Sequence, residues 1–135
     1  MLRNVLYLAE GAVVLAGCFV SVHTNDCATE GNSERVLRHV VLFKFKDGTS
    51  SQQVREIENA FRALPSKIDT ICNFEWGTDV SVENLQQGFT HCFLVTFRSE
   101  ADRAEYIPHP AHKEFGRMLG PHIDKVLVVD YWTKR

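Results

Sequence analysis

Arg38-His39-Val40-Val41-Leu42-Phe43-Lys44-Phe45 decides the fold. Side chains point to opposite faces at successive positions of a strand. One face therefore carries His39, Val41, Phe43 and Phe45, and the other carries Val40 and Leu42. A matching segment, His91-Cys92-Phe93-Leu94-Val95-Thr96-Phe97, divides in the same way, with Phe93, Val95 and Phe97 on one side and Cys92 and Leu94 on the other. Both strands are apolar on both faces, and each opens on a histidine.

The remaining elements follow outward from these strands. Asp47-Gly48 ends the first strand, which runs over Arg38 to Lys46, and Thr49, Ser50 or Ser51 caps a helix. Val54, Ile57, Phe61 and Leu64 recur at helical spacing in that helix until Pro65 stops it. Ile71 to Val80 reads as a second strand carrying Phe74 and Trp76, and a polar loop through Asn84 and Gly88 leads to a third, Phe89 to Phe97. Ser99 caps a second helix that Pro108 interrupts. Pro110 suits the first turn of its continuation, with His109 as the cap. Gly120-Pro121 ends this helix, and Asp124 to Trp132 is the last strand.

The order β-α-β-β-α-β predicts an α+β, ferredoxin-like fold: an antiparallel sheet with both helices on one face. A sheet that is apolar on both faces needs a cover on each. The helices supply one cover, and a second copy of the chain is expected to supply the other, giving a homodimer. The first and third strands are expected at the centre of the sheet, running parallel. His39 and His91 would then be neighbours at one end, beneath the returning segment Tyr106-Ile107-Pro108-His109-Pro110-Ala111-His112. Imidazole moves readily between acid, base and ligand near neutral pH. His39, His91, Tyr106 and His112 are therefore the candidate site residues, as polar contacts for a small, largely apolar molecule in the helix–sheet cleft.

Each of these residues also has a plainer role. A histidine at a strand start is commonly half-buried and bonded to backbone, and a tyrosine at helical spacing is commonly core. His109 is read as a cap, His23 and His122 as loop residues, and Trp76 and Trp132 as packing. Asp130 reads either as an edge charge or as a partner for a cation at the dimer seam. Three imidazoles could ligate zinc, but no tight spacing such as His-x-x-x-His is present, so neither a metal nor a cofactor is expected.

The N-terminus differs in kind. Residues 1–18 resemble an export signal, with a basic start, an apolar stretch and a Leu15-Ala16-Gly17-Cys18 ending similar to a bacterial lipobox, although Glu10 interrupts the apolar run. Cys18 would carry lipid, residues 19–35 would form a tether, and residues 36–133 the folded domain. Membrane attachment would come only through that lipid, and a cytoplasmic location is the alternative. With 44% hydrophobic residues and a formal net charge of −2, and with no basic stripe, the chain lacks the electrostatic footprint for nucleic acid. Without a Cys-x-x-Cys or an even framework, Cys72 and Cys92 are expected to be free, buried thiols.

Arg38 to Phe45, Gly88-Phe89-Thr90-His91, Tyr106 to His112 and Val128-Val129-Asp130-Tyr131 together resemble the stress-responsive A/B barrel (Dabb) domain, over about Val36 to Trp132. The resemblance implies a dimeric α+β barrel. A plant polyketide cyclase of that family uses a tyrosine and a histidine in this segment, and by motif position Tyr106 and His112 match them. The implied alternative is an enzyme performing an intramolecular aldol condensation of a poly-β-keto thioester. In it, His112 would be the general base and Tyr106 would orient His112 or polarise the carbonyl. His39 and His91 would line the pocket.

Overall fold

The computed structural model describes residues 35–134. The expected signal segment, the lipid site at Cys18 and nearly all of the tether lie outside the described residues. Among those described, no helix is long and apolar enough to cross a membrane.

Strand β1 (Leu37–Phe45) is followed by α1 (Ser51–Arg62), β2 (Asn73–Thr78), β3 (His91–Phe97), α2 (Glu100–Tyr106), α3 (Pro110–Leu119) and β4 (Ile123–Trp132). A short 3-10 turn, Leu64–Ser66, follows α1, and another, Gly120–His122, precedes β4. The local signals explain most boundaries. Gly48 adopts a positive φ of 85° at the turn after β1, a conformation that costs glycine little. Ser50 and Gln53 form a reciprocal capping box at the start of α1, satisfying two backbone donors that the helix itself cannot. Ser99 caps α2 and His109 caps α3, with Pro110 in its first turn.

The sheet order is β2-β3-β1-β4, with every neighbouring pair antiparallel. The ferredoxin-like α+β architecture is as expected, but the relation of the central strands is not. β1 and β3 run antiparallel, so that Phe43 faces His91 and His39 faces Val95. The topology requires this: a crossover helix makes β1 and β2 parallel, the β2–β3 connection reverses direction, and β3 lies between them. His39 and His91 therefore share a face but are four residue levels apart, about 13 Å at the usual rise per residue.

The helix-side core is aromatic. Phe43, Phe61 and Phe93 are almost fully buried. The Phe61 ring lies 4.2 Å from that of Phe93 and 4.8 Å from that of Phe115. On the opposite face, Val40, Leu42 and Leu94 are only half-buried. β4 is an edge strand whose Val126, Leu127, Val128, Val129 and Tyr131 are 44–48% exposed. The cysteine expectation is corrected in two ways. Cys72 is buried but disulfide-bonded. Cys92 is free but exposed, because its even-numbered place in β3 puts it on the outer face. Burial and the nearby Glu75 carboxylate both raise the Cys92 thiol pKa.

Candidate functional site

The antiparallel centre separates the four candidate side chains into two groups. α2 leaves the end of β3 beside Leu37, which pairs with Phe97, and so Tyr106 returns over the His39 end of the sheet. Tyr106 is 1% exposed. Its ring lies 5.1 Å from Phe97, 5.7 Å edge-on from His39 and 4.3 Å from His112. His39, Tyr106 and His112 line one cavity of about 240 Å³, whose walls are mostly apolar: Val41, Phe43 and the β4 valines from the sheet, and Phe61, Phe115 and Leu119 from the helices. Polar groups gathered at one end of an apolar cleft form the usual pattern of a small-molecule site.

Hydrogen bonds fix which nitrogen of each imidazole is free. His112 Nδ1 lies 2.9 Å from the Ile107 carbonyl oxygen. A carbonyl only accepts, so Nδ1 carries the proton and neutral His112 keeps its lone pair on Nε2. His39 Nδ1 lies 2.6 Å from Asp130 Oδ1 and donates to that carboxylate, again leaving Nε2. Burial raises the Tyr106 phenol pKa well above its ordinary value, so it stays a neutral O–H donor. Among the described residues the hydroxyl has no hydrogen-bond partner.

His91 belongs elsewhere. Its Nε2 donates to Glu58 Oε1 at 2.9 Å, and its Nδ1 lies 2.8 Å from the Thr90 hydroxyl. Its ring stacks on Trp76 and meets Phe45 edge-on. With both nitrogens engaged, it joins β3 to α1 and does not face Tyr106 or His112. A larger hollow of about 430 Å³ lies beside it, lined by Leu42, Cys92 and residues of the β2–β3 loop. His91 itself lines that hollow, whereas His39, Tyr106 and His112 line the helix–sheet cleft, which is the candidate site. His91→Ala leaves the Glu58 carboxylate without its charge-assisted hydrogen bond. It is expected to cost about 1.5–3 kcal/mol in urea unfolding while leaving ligand affinity at the cleft within twofold. A tenfold loss of affinity would return His91 to the site.

Asp130 and Arg103 do not line the cleft but are tied to it through His39, a link the sequence reading did not make. Asp130 sits directly opposite His39 in the β1–β4 register, and Arg103 Nη1 donates to its other oxygen at 2.8 Å. The available signal was a lone carboxylate in an otherwise apolar strand. Arg103 also precedes Tyr106 by three residues, which puts both on one side of α2. Among the described residues, no group of three or more His, Cys, Asp or Glu side chains is arranged to hold a metal ion.

A family model described as the Stress responsive A/B Barrel Domain matches residues 37–133. The chain is similar to the Stress-response A/B barrel domain-containing protein HS1 of Arabidopsis thaliana, at 47% identity over 95 residues, 70% of this chain and 87% of that protein. It is also similar to olivetolic acid cyclase of Cannabis sativa, at 33% identity over 99 residues, 73% of this chain and 98% of that one. Among solved structures it resembles a hydroxynitrile lyase from Passiflora edulis, with a TM-score of 0.69 and 30% identity over 73% of this chain and 94% of the other. A dimeric protein of unknown function with a ferredoxin-like fold, from Bacteroides fragilis, matches with a TM-score of 0.60 and 26% identity over 73% of this chain and 96% of the other.

Proposed function

The chain belongs to the stress-responsive A/B barrel domain family, and from that premise we propose that it is a homodimer that binds a small, largely apolar molecule in its helix–sheet cleft. The observation that carries this is the cavity itself, where Tyr106, His39 and His112 meet at the polar end of an apolar chamber. Native mass spectrometry of the full chain, purified gently from its own host, tests it. A dimer retaining a small organic molecule is the expected result. A dimer that returns empty, and whose unfolding temperature does not respond to any compound of a lipophilic small-molecule panel, removes the reading.

The homodimer is supported by the outer sheet face, where Val40, Leu42 and Leu94 adjoin Leu127, Val129 and Tyr131 of β4, and by dimeric relatives of the same fold. An apolar sheet face of this extent is stable in water only under a cover. Val129→Lys is expected to halve the mass measured by light scattering, since a charge there is tolerated in a lone protomer but not against a partner. An unchanged mass would place the partner surface elsewhere.

A second reading, an enzyme of the cyclase or lyase kind, is favoured by one specific observation. The His112 Nδ1–H is held on the Ile107 carbonyl, so its basic Nε2 is presented beside a phenol that stays protonated. A base and a hydrogen-bond donor at such spacing suit removal of an α-proton with stabilisation of the developing enolate oxygen. Two of the similar proteins are named as a cyclase and a lyase, in keeping with that chemistry.

A further inference from the structure

We propose that Asp130 is a positioning residue that fixes the tautomer of His39, and that Arg103 in turn fixes Asp130, so that the cleft holds a second oriented imidazole beside Tyr106 in addition to His112. This rests on the cleft being the functional site. The chain of contacts is continuous: Arg103 Nη1 to Asp130 Oδ2 at 2.8 Å, and Asp130 Oδ1 to His39 Nδ1 at 2.6 Å. It links α2, β4 and β1. The His39 side chain is 10% exposed, whereas those of Arg103 and Asp130 are 26% and 30% exposed. Water therefore reaches the outer members, while the imidazole faces the cavity.

The two carboxylate oxygens have separate tasks. One accepts from a guanidinium, which has donors only, and the other accepts from the imidazole. Because the two oxygens are divided in this way, His39 must donate through Nδ1, and the nitrogen left for a ligand is Nε2. A hydrogen bond on one ring nitrogen setting the state of the other is the general rule for functional histidines. The cleft is then lined by two imidazoles that each pack against the Tyr106 ring, His112 anchored on a backbone carbonyl and His39 on a carboxylate.

The test is nitrogen-15 NMR of the histidine rings in the full chain, with no ligand required. In the native protein the His39 proton is expected on Nδ1. In Asp130→Asn, the Arg103 donors claim the amide oxygen and turn the NH2 group towards His39, so the proton is expected to move to Nε2. Adding Arg103→Met frees the amide to rotate, and the Nδ1–H form should return. A native His39 protonated on Nε2 alone, or an Asp130→Asn protein whose His39 signals are unchanged, would overturn the proposal. If Asp130→Asn does not fold, the native spectrum alone decides it. Failure here leaves the binding reading intact, because that reading is judged by retained ligand and not by tautomer.

Discussion

Phe93→Ala is expected to destabilise the domain by about 3–5 kcal/mol in urea unfolding, the range for truncating a fully buried phenylalanine. Phe93 is 0% exposed and central in both directions. It lies in β3, between β2 and β1, and its ring sits 5.1 Å from Phe43, 4.2 Å from Phe61 and 5.7 Å from Trp76. Removing it takes away the surface on which α1 rests, and rigid neighbours on two strands cannot close the space. Stability of a domain this size is itself of order 5–15 kcal/mol, so the variant should lose a large share of it. Phe115→Ala should cost less, because that residue is 6% exposed and borders the cavity. Equal losses for the two, or a loss below about 1.5 kcal/mol for Phe93→Ala, would mean that the aromatic cluster is not the core.

Much of this arrangement was legible in the sequence because strand alternation is a strong local signal. The same-face placement of His39, Val41, Phe43, His91, Phe93 and Val95 follows from a period of two. His109 capping a helix that starts at Pro110 follows from the chemistry of helix ends. Strand direction is different: no single strand encodes whether its neighbour runs with it or against it. Alternation would place His39 and His91 on one face in either case. Only the interleaving of two crossovers and a reversal sends them to opposite ends of the cleft. Asp130 illustrates the same limit. A carboxylate in an apolar strand signals a partner, but identifying that partner as His39 requires the β1–β4 register, which pairs residues 91 positions apart. Cys92 shows a different limit: alternation gives its face but not what covers that face, and in the lone protomer Cys92 is exposed.

His112→Ala and Tyr106→Phe separate binding from catalysis, because each reading assigns a different size to the same deletion. If the cleft only holds a ligand, each substitution removes one hydrogen bond at the edge of an apolar contact, a loss of about 0.5–1.5 kcal/mol. This corresponds to roughly two- to tenfold in affinity. If His112 Nε2 takes a proton from carbon, its loss removes the general base, worth about 10²–10⁴ in rate. That loss should fall on turnover of a poly-β-keto thioester, with substrate affinity much less affected. Tyr106→Phe should behave as the loss of one donor to the enolate oxygen, smaller than the loss of the base but well beyond tenfold. Both variants are expected to fold: His112 is only partly buried, and Tyr106→Phe keeps the ring that packs on Phe97 and His39. Steady-state turnover alongside ligand affinity for the native protein and both variants is the deciding measurement. A fall in both quantities of tenfold or less assigns the cleft to binding. A fall confined to turnover, and larger for His112→Ala, assigns the proton transfer to His112. Unchanged turnover in both variants removes the enzymatic reading, because that reading gives the base to His112 and the donor to Tyr106.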